Sequence, residues 1–457
     1  MLGDVEKFLG AHSSRLVARF QCPSPASVSP MRIVIIGAGG VGNALARILA
    51  TRDFVTHVTI SDYDIERARS AVAWLEQHHP DKAGLFSAAQ VDASQASSVQ
   101  LVAETAEADI VVNAVEPSFV QGVFQGAFDA GAHYLDMAMS LSSPHPTAPF
   151  SETGVKLGDW QFERADQWKE KGLLALVGMG VEPGLSDVFA RYAADHLFSE
   201  VDEFGVRDGA NLVVTDEDGN EIFAPSFSIW TTIEECLNPP VIYEKNRGWF
   251  TTEPFSEPEV FDFPGGIGPV ECVNVEHEEV LLIPRWLEGK RVTFKYGLGE
   301  DFIGVLKTLN TLGLDSTAPV SVRTAPGEDG KRERVSVAPR DLVAAVLPDP
   351  TTIGPRMTGK TCAGVWVRGK GKDGSLRSSY LYHLADNQWT MENYETQCVV
   401  WQTALAPAVA LELIHRGVWQ GSGVLGPEAF DAEPFLELMS APIEDGGYGQ
   451  EWGIQEK

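Results

Sequence analysis

The densest group of residues with recognisable chemistry is the glycine-rich stretch RIVIIGAGGVG at residues 32–42. A β-branched run precedes the glycines and a segment rich in helix formers follows them, so they occupy a predicted strand-to-helix turn. Their spacing fits G-x-G-x-x-G, the pattern that binds the diphosphate of a dinucleotide. Gly37 permits the tight turn, Gly39 lets the diphosphate approach, and Gly42 lets the helix pack closely on the strand. The turn therefore predicts a dinucleotide site.

An acidic residue at the end of the second predicted strand completes this pattern. Asp62 ends VTISD, 20 residues after Gly42, where a carboxylate accepts hydrogen bonds from ribose hydroxyls. It would repel a 2′-phosphate, which favours NAD over NADP, although the nearby Arg67 and Arg69 keep NADP possible. The residues predicted to hold the diphosphate and ribose are Gly37, Gly39, Gly40, Val41, Gly42 and Asp62.

Further candidate residues follow the later strands of the same strand–helix alternation. The carboxyl ends of parallel strands meet at one edge of a sheet, and ligands bind there. The residues expected along the path from adenine to nicotinamide are Asp92, Ala93, Asn113, Ala114 and Val115. Glu116, Asp136 and Glu182 also fall at strand ends and are expected at the rim of the crevice. The alternative for each polar residue is that it only caps a helix.

Composition narrows the class of partner. The chain has 35 Lys and Arg against 64 Asp and Glu, a net charge of −29, which argues against binding nucleic acid or an anionic membrane. No apolar run is expected to approach the roughly 18 residues of a membrane span. The five cysteines show no metal-ligand spacing, so we expect reduced thiols, no bound metal and a cytoplasmic protein.

The order of predicted elements indicates an α/β protein with two main domains. Strands and helices alternate up to about residue 200, which is typical of a Rossmann doubly wound parallel sheet. Short alternating strands then indicate a second α+β domain on an antiparallel sheet. The predicted divisions are an N-terminal extension at 1–30, an NAD-binding Rossmann domain at 31–200, a substrate-binding and dimerisation domain at 201–393, and a helical segment at 394–457 that packs back on the body. The acidic last residues are expected to fray.

Several segments together resemble the saccharopine dehydrogenase-like family, nearest its lysine 6-dehydrogenase and saccharopine reductase branches. They are RIVIIGAGGVG, DIVVNAVEP, HYLDMA, LVGMGVEPGLSD, IWTTIEECLNPPVIYE, FPGGIGPVECVNVEHE, VTFKYGLGEDFIGVLKTLNTLGL and GVWQGSGVLGPEAFDAEPFLELM. The resemblance spans about residues 31–440. It implies NAD(P)-linked oxidation or reduction at a C–N bond of lysine or a lysine-derived amine, in a protein expected to form a homodimer through the second domain's sheet.

That chemistry defines roles for the acidic residues. Amine oxidation needs a neutral nitrogen, and a carboxylate of raised pKa in a dry crevice could accept its proton. Asp136 and Glu182 are the candidates, although each could equally bind a helix N-terminus or a substrate ammonium group. His277 in EHE is the further candidate base, although a histidine on an alternating strand is more often a surface residue.

An amino-acid substrate also needs a cation for its carboxylate. Arg285 and Lys295 are the candidates, with Tyr296 adding a hydroxyl and Glu116 facing the substrate. Two other functions stay open. One is a polyamine enzyme similar to carboxynorspermidine or homospermidine synthase, and the other is a non-catalytic NAD-binding regulator.

The role of Asp62 leads to a first prediction. The protein should bind NAD at least about tenfold tighter than NADP, which corresponds to roughly 1.4 kcal/mol. Asp62→Ala should narrow this ratio, chiefly by admitting NADP, because the repulsion of the 2′-phosphate is removed. Fluorescence titration of both cofactors measures the ratio, and equal affinities in the unaltered protein would reject this role for Asp62.

Overall fold

The computed structural model describes residues 31–326 and 330–457, so the predicted extension at 1–30 lies outside the described residues. Strands and helices alternate through the first part of the chain. They are β1 (Met31–Ile36), α1 (Gly40–Ala50), β2 (Val55–Asp62), α2 (Ile65–His78), β3 (Phe86–Gln90), α3 (Ala96–Thr105), β4 (Ile110–Asn113), α4 (Val120–Ala130), β5 (His133–Asp136), α5 (Asp159–Phe162), α6 (Ala165–Glu170), β6 (Leu174–Leu176) and α7 (Leu185–Tyr192).

The second part is richer in strands, and the chain then returns to helix. Its elements are β7 (Phe198–Ala210), β8 (Val213–Val214), α8 (Ile229–Leu237), β9 (Val241–Glu244), β10 (Gly248–Thr251), β11 (Glu259–Phe263), β12 (Gly268–Asn274), α9 (Glu279–Trp286), β13 (Arg291–Gly297), α10 (Glu300–Leu312), β14 (Val320–Arg323), β15 (Arg334–Val337), α11 (Pro339–Val346), β16 (Met357–Thr358), β17 (Lys360–Gly371) and β18 (Leu376–Asp386). The last are α12 (Asn387–Tyr394), α13 (Cys398–His415), β19 (Gly423–Leu425), α14 (Glu433–Ser440) and β20 (Trp452–Glu456).

The first sheet has seven parallel strands in the order β19-β6-β5-β4-β1-β2-β3, which confirms the predicted Rossmann class. Its register pairs Ile36 with both Ser61 and Asn113, and Asn113 with Asp136. The strand ends therefore lie at one edge, where the candidate residues follow them. The strand β19 reaches this sheet from the C-terminal part of the chain.

The second sheet has nine strands and is mixed, so the expectation of an antiparallel sheet needs one correction. The central strands β7 and β13 run parallel, pairing Asp208 with Tyr296. The chain between them passes through α8, five strands and α9, and a crossover of that length lets the second strand run in the same direction. The other strand pairs in this sheet are antiparallel.

The C-terminal segment corrects two expectations. The helix α13 is 18 residues long and apolar enough to cross a membrane by length and composition, so the sequence does contain such a run. It is 83% buried inside the protein and packs against α1, as a core helix does. The final residues do not fray, because β20 pairs with β18 at the edge of the second sheet.

The contact between α1 and β1 leads to a second prediction. A Cβ on Gly42 would lie 1.9 Å from the carbonyl oxygen of Gly37, in backbone that cannot give way. Gly42→Ala should therefore lower the free energy of unfolding by about 2 kcal/mol or more. Urea unfolding monitored by circular dichroism measures the change.

Gly304→Ala is the matched control, because no atom lies within 4 Å of the added Cβ on this helical residue. It should raise stability by roughly 0.5–1 kcal/mol, as alanine does in a helix. Equal stability of the two variants would show that the α1–β1 contact does not require glycine.

Candidate active site

The glycine turn has the geometry that a bound dinucleotide requires. Gly37 has a φ of +107°, and a Cβ there would lie 2.6 Å from the carbonyl oxygen of Ala114. Gly39 faces open space, with no atom within 4 Å of its Cβ position. The helix α1 begins at Gly40 with no side-chain cap and no acidic residue in its first turn, so its N-terminal amides can receive a diphosphate.

Asp62 lies beside this turn, as its position in the sequence predicts. Its Oδ2 accepts a hydrogen bond from the backbone amide of Ala38 at 2.9 Å, and its Oδ1 accepts one from the backbone amide of Asp64 at 2.9 Å. A carboxylate oxygen has two acceptor positions, so both oxygens can still accept ribose hydroxyls. Arg67 and Arg69 are exposed, and Arg69 is paired with Glu66.

The later strand ends also lie at the cofactor edge. Asn113 is buried, donates to the hydroxyl of Tyr134 at 3.1 Å, and accepts the amide of Val115. The backbone of Ala114 bonds to Ile36 and forms a wall against the glycine turn. Asp92 accepts the amide and hydroxyl of the nearby Ser94 and so acts as a local cap, with Ala93 half-buried beside it. Glu116 is exposed at the rim.

Asp136 is fully buried and its carboxylate has three protein donors. Its Oδ1 accepts the amide of Gly178 at 2.7 Å, and its Oδ2 accepts Tyr134 at 2.9 Å and Gln161 at 2.7 Å. Burial raises the pKa of Asp136 to about 7, although these hydrogen bonds act to lower it. The carboxylate thus joins the ends of β5 and β6 to α5.

His277 lies in the loop between β12 and α9, so the expectation of a surface histidine on a strand is wrong. Its ring stacks on Phe294 at 3.8 Å between centroids, and its Nδ1 is 2.6 Å from Oε2 of Glu279. Burial alone would lower the pKa of His277, but the carboxylates of Glu279, Glu235 and Glu278 raise it to about 10. The buried ring is therefore an imidazolium at neutral pH.

A pair of carboxyl groups faces this imidazolium. Glu182 Oε1 accepts the amide of Gly364 at 3.0 Å, while its buried Oε2 meets no protein donor. The Glu182 side chain hydrogen-bonds Asp208 on β7, so one of the two must retain a proton. Burial is the main cause that raises the pKa of Glu182 well above its usual range and that of Asp208 to about 7.

A small cleft opens beside these groups, between the strand ends and the second domain. Its polar lining consists of Trp230, Thr231, Glu234, Glu235, Glu276 and Glu278. Burial raises the pKa of Glu235 to about 8 and that of Glu276 to about 7. Glu276 accepts Ser142 and Asn238, each at 2.9 Å, and Glu278 accepts the amide of Met139 at 3.1 Å.

The structure does not bring the predicted carboxylate-binding cations to this cleft. Lys295 is bonded to Glu259 at 2.8 Å, and its neighbour on the strand, Tyr296, has the opposite orientation, toward Asp208 and Glu235. Arg285 rests on the ring of Phe162 and donates to a backbone carbonyl of its own helix. Both cations therefore interact with other groups of the protein instead of facing the cleft. Of these three predicted residues, only Tyr296 lies beside the acids Asp208 and Glu235.

Sequence reasoning missed several acids that are buried or half-buried. The buried ones are Asp187, Glu276, Glu278, Glu279 and Glu428, and the half-buried ones are Asp208 and Glu235. Some lie in segments that carried the family resemblance, such as VEHE and GVLGPE, so acids in otherwise apolar surroundings were the available signal. His277, Glu278 and Glu279 also place their ligand atoms within 4.8 Å of one another, an arrangement that could hold a metal ion despite the lack of a sequence motif.

The glycine turn and the acid–base cleft beside it define a nicotinamide-dependent oxidoreductase. Family models agree with this class: the saccharopine dehydrogenase NADP binding domain matches residues 33–176, and the saccharopine dehydrogenase C-terminal domain matches residues 180–442. The chain belongs to the saccharopine dehydrogenase family, and the predicted resemblance is confirmed.

Individual relatives extend over nearly the whole chain. Carboxynorspermidine synthase of Vibrio alginolyticus is 30% identical over 431 residues, which are 93% of this chain and 97% of that protein. Carboxyaminopropylagmatine dehydrogenase of Synechocystis is 26% identical and covers 89% of this chain and 95% of that protein. The saccharopine dehydrogenase of Saccharomyces cerevisiae shares the fold, with a TM-score of 0.58, 13% identity, and coverage of 93% of this chain and 99% of that structure.

A second carboxyl pair behind the site leads to a third prediction. Asp187 and Glu428 are fully buried and hydrogen-bonded to each other, and burial raises the pKa of Glu428 to about 7. The folded protein therefore binds more protons than the unfolded chain above about pH 4.5, so stability falls as pH rises toward and past 7. Glu428→Gln should raise the melting temperature at pH 8 but not at pH 5.

Glu437→Gln on α14 is the control, because Glu437 is exposed. Its melting temperature should follow that of the unaltered protein at both pH values in differential scanning calorimetry. A stabilisation by Glu428→Gln that is the same at pH 5 and pH 8 would contradict the shared proton.

Proposed function

We propose that this protein is an NAD(P)-linked oxidoreductase that interconverts an imine and a secondary amine in a carboxyl-bearing polyamine. The observation that carries the proposal is the cleft beside the predicted nicotinamide edge, which is lined by four glutamates and adjoins the imidazolium of His277. The names of the relatives, which describe carboxylated polyamines, support this alternative over the lysine-type substrate expected first.

The charge of the cleft favours a substrate with several amino groups. Glu235, Glu276 and Glu278 have no lysine or arginine partner in residues 31–326 and 330–457. Buried carboxylates are stable only when they are protonated or paired with a cation. A diamine brings two ammonium groups to this site, and its methylenes suit the apolar walls formed by Met139 and Leu141.

The reducing direction can be written with its atoms balanced. The amine nitrogen adds to an aldehyde carbon, water leaves, and a C=N bond forms. Hydride is then added to the carbon and a proton to the nitrogen, which gives the secondary amine. The nicotinamide ring supplies or accepts the hydride when the cofactor is bound. The protein must deprotonate the entering ammonium group, protonate the departing hydroxyl and exclude water.

The buried groups match these tasks. We assign proton acceptance from the ammonium group to the Glu182–Asp208 pair, because a carboxylate of raised pKa competes for that proton. We assign His277 as the acid that protonates the hydroxyl, with Glu279 holding its Nδ1. Asp136, whose oxygens already accept three donors, is assigned as a positioning residue for the turn at Gly178.

The preferred cofactor, the cellular location and the oligomeric state are further parts of the same proposal. The contacts of Asp62 support NAD as the preferred cofactor, although the matching family model is named for NADP. A cytoplasmic homodimer through the second domain's sheet remains our proposal. The homodimer is supported by an apolar cluster on the face of that sheet opposite the main core, where Trp366 and Tyr382 stay partly exposed.

A fourth prediction tests this function. The oxidation of NADH or NADPH should be followed with diaminopropane and a four-carbon amino acid that carries a terminal aldehyde. We expect turnover, and His277→Gln or Glu182→Gln should lower kcat by about 10²–10⁴ while cofactor affinity stays unchanged. Glu437→Gln should keep the original kcat.

The outcomes separate the alternatives. Turnover of lysine with NAD but not of the polyamine pair would establish the lysine-type function instead. Cofactor binding with no turnover of any amine would support the non-catalytic regulator. Normal kcat in both glutamine variants would reject the assigned acid and base. Activity that disappears with a chelator and returns with a divalent ion would show that His277, Glu278 and Glu279 hold a metal.

A further inference from the structure

We propose that Arg340 determines which amine the cleft accepts, because its own guanidinium occupies the position that a guanidinium-bearing substrate would use. This inference rests on the proposed function and names its substrate class. Arg340 belongs to α11 and is 7% exposed. Its Nη1 donates to Oε2 of Glu234, and its guanidinium carbon lies 4.7 Å from the ring centroid of Trp230.

Glu234 and Trp230, which contact the Arg340 guanidinium, both line the cleft. Trp230 and Glu234 are four residues apart on α8 and therefore lie on one face of that helix. Oε1 of Glu234 accepts Nδ2 of Asn238 at 3.1 Å, which fixes the carboxylate, and Nε of Arg340 donates to the carbonyl of Asp315 at 2.7 Å, which fixes the guanidinium. The contact is therefore held from both sides.

An aromatic face beside a carboxylate is the combination that recognises a guanidinium group. Trp230 is the sole aromatic residue among those that line the described cleft, so this combination occurs there once. With Arg340 in place, Glu234 is neutralised and this face of the indole is covered. The anionic groups left for a substrate are Glu235, Glu276 and Glu278, which suit the compact ammonium groups of a short diamine.

The chain should therefore prefer a short diamine to an amine that ends in a guanidinium group. The names of the two kinds of relative differ in this respect, since one product is built on norspermidine and the other on agmatine. We assign this protein to the short-diamine class and Arg340 as its specificity-determining residue.

Calorimetric titration of the NAD-loaded protein with diaminopropane and with agmatine tests the assignment directly. The unaltered protein should bind diaminopropane at least about tenfold tighter than agmatine. Arg340→Ala should shift the ratio of the two Kd values by about tenfold or more toward agmatine, because Glu234 and the indole are freed. Arg340→Lys keeps the cation and should keep the original ratio.

Two controls make the result specific. Arg334→Ala removes an exposed arginine of the β14–β15 hairpin and should leave the ratio unchanged. The double variant Arg340→Ala/Glu234→Gln should lose the gain in agmatine affinity, because the carboxylate that would bind the guanidinium is absent. Arg340→Gln, which can still donate to the Asp315 carbonyl, replaces the alanine variant if that variant fails to fold.

Two results would overturn the proposal. One is a Kd ratio that stays within twofold of the original in both Arg340→Ala and Arg340→Gln. The other is a gain in agmatine affinity that persists in the double variant Arg340→Ala/Glu234→Gln. Turnover is measured separately: amine binding that follows the expected ratios without turnover would contradict the proposed reaction while leaving the role of Arg340 supported.

Discussion

The structure depends on the balance of charge around one buried imidazolium. His277 is in contact with Glu279 and lies within the field of Glu235 and Glu278, while Glu182 and Asp208 share a proton nearby. An ionised carboxylate removed from water needs a proton, a cation or strong donors. This requirement explains why the pKa values of His277 and of the surrounding carboxyl groups are all raised. It also links the ionisation of these groups to the charge of the ligand that occupies the cleft.

The same carboxylates also join the two domains. Glu278 and Glu276 in the second domain accept hydrogen bonds from Met139 and Ser142, which follow β5 of the Rossmann sheet. Glu182, which follows β6, accepts the amide of Gly364 on β17. Loss of these contacts would open the cleft and expose its acids to water, so domain closure and acid–base chemistry depend on the same atoms.

Membership of the saccharopine dehydrogenase family defines the fold, whereas the residues that line the cleft determine which amine binds as substrate. The yeast saccharopine dehydrogenase shares the fold at 13% identity, whereas the two bacterial relatives carry names that refer to different polyamines. A fold can host different substrates when the residues facing the ligand change. In this chain, acidic residues of α8 and of the loop before α9 line the cleft, and Arg340 of α11 contacts two of the lining residues, Glu234 and Trp230.

The sequence by itself determined the features that depend on neighbouring residues. The glycine turn and Asp62 could be recognised because spacing within one strand–turn–helix unit dictates their geometry. The order of strands and helices followed from hydrophobic periodicity in the same way. The edge of the sheet that carries Asn113 and Asp136 was predictable because parallel strands end together.

Only the tertiary structure decided which distant charges meet. The sequence predicts Lys295 as a cation for the substrate, but in the fold its ammonium group binds Glu259. The sequence equally allows His277 to be a surface residue, but in the fold its ring stacks on Phe294. The acids Asp208, Glu235 and Glu428 come from separate elements, so no local pattern relates them. Their pKa values depend on burial and on through-space contacts, and these exist only once the chain has folded.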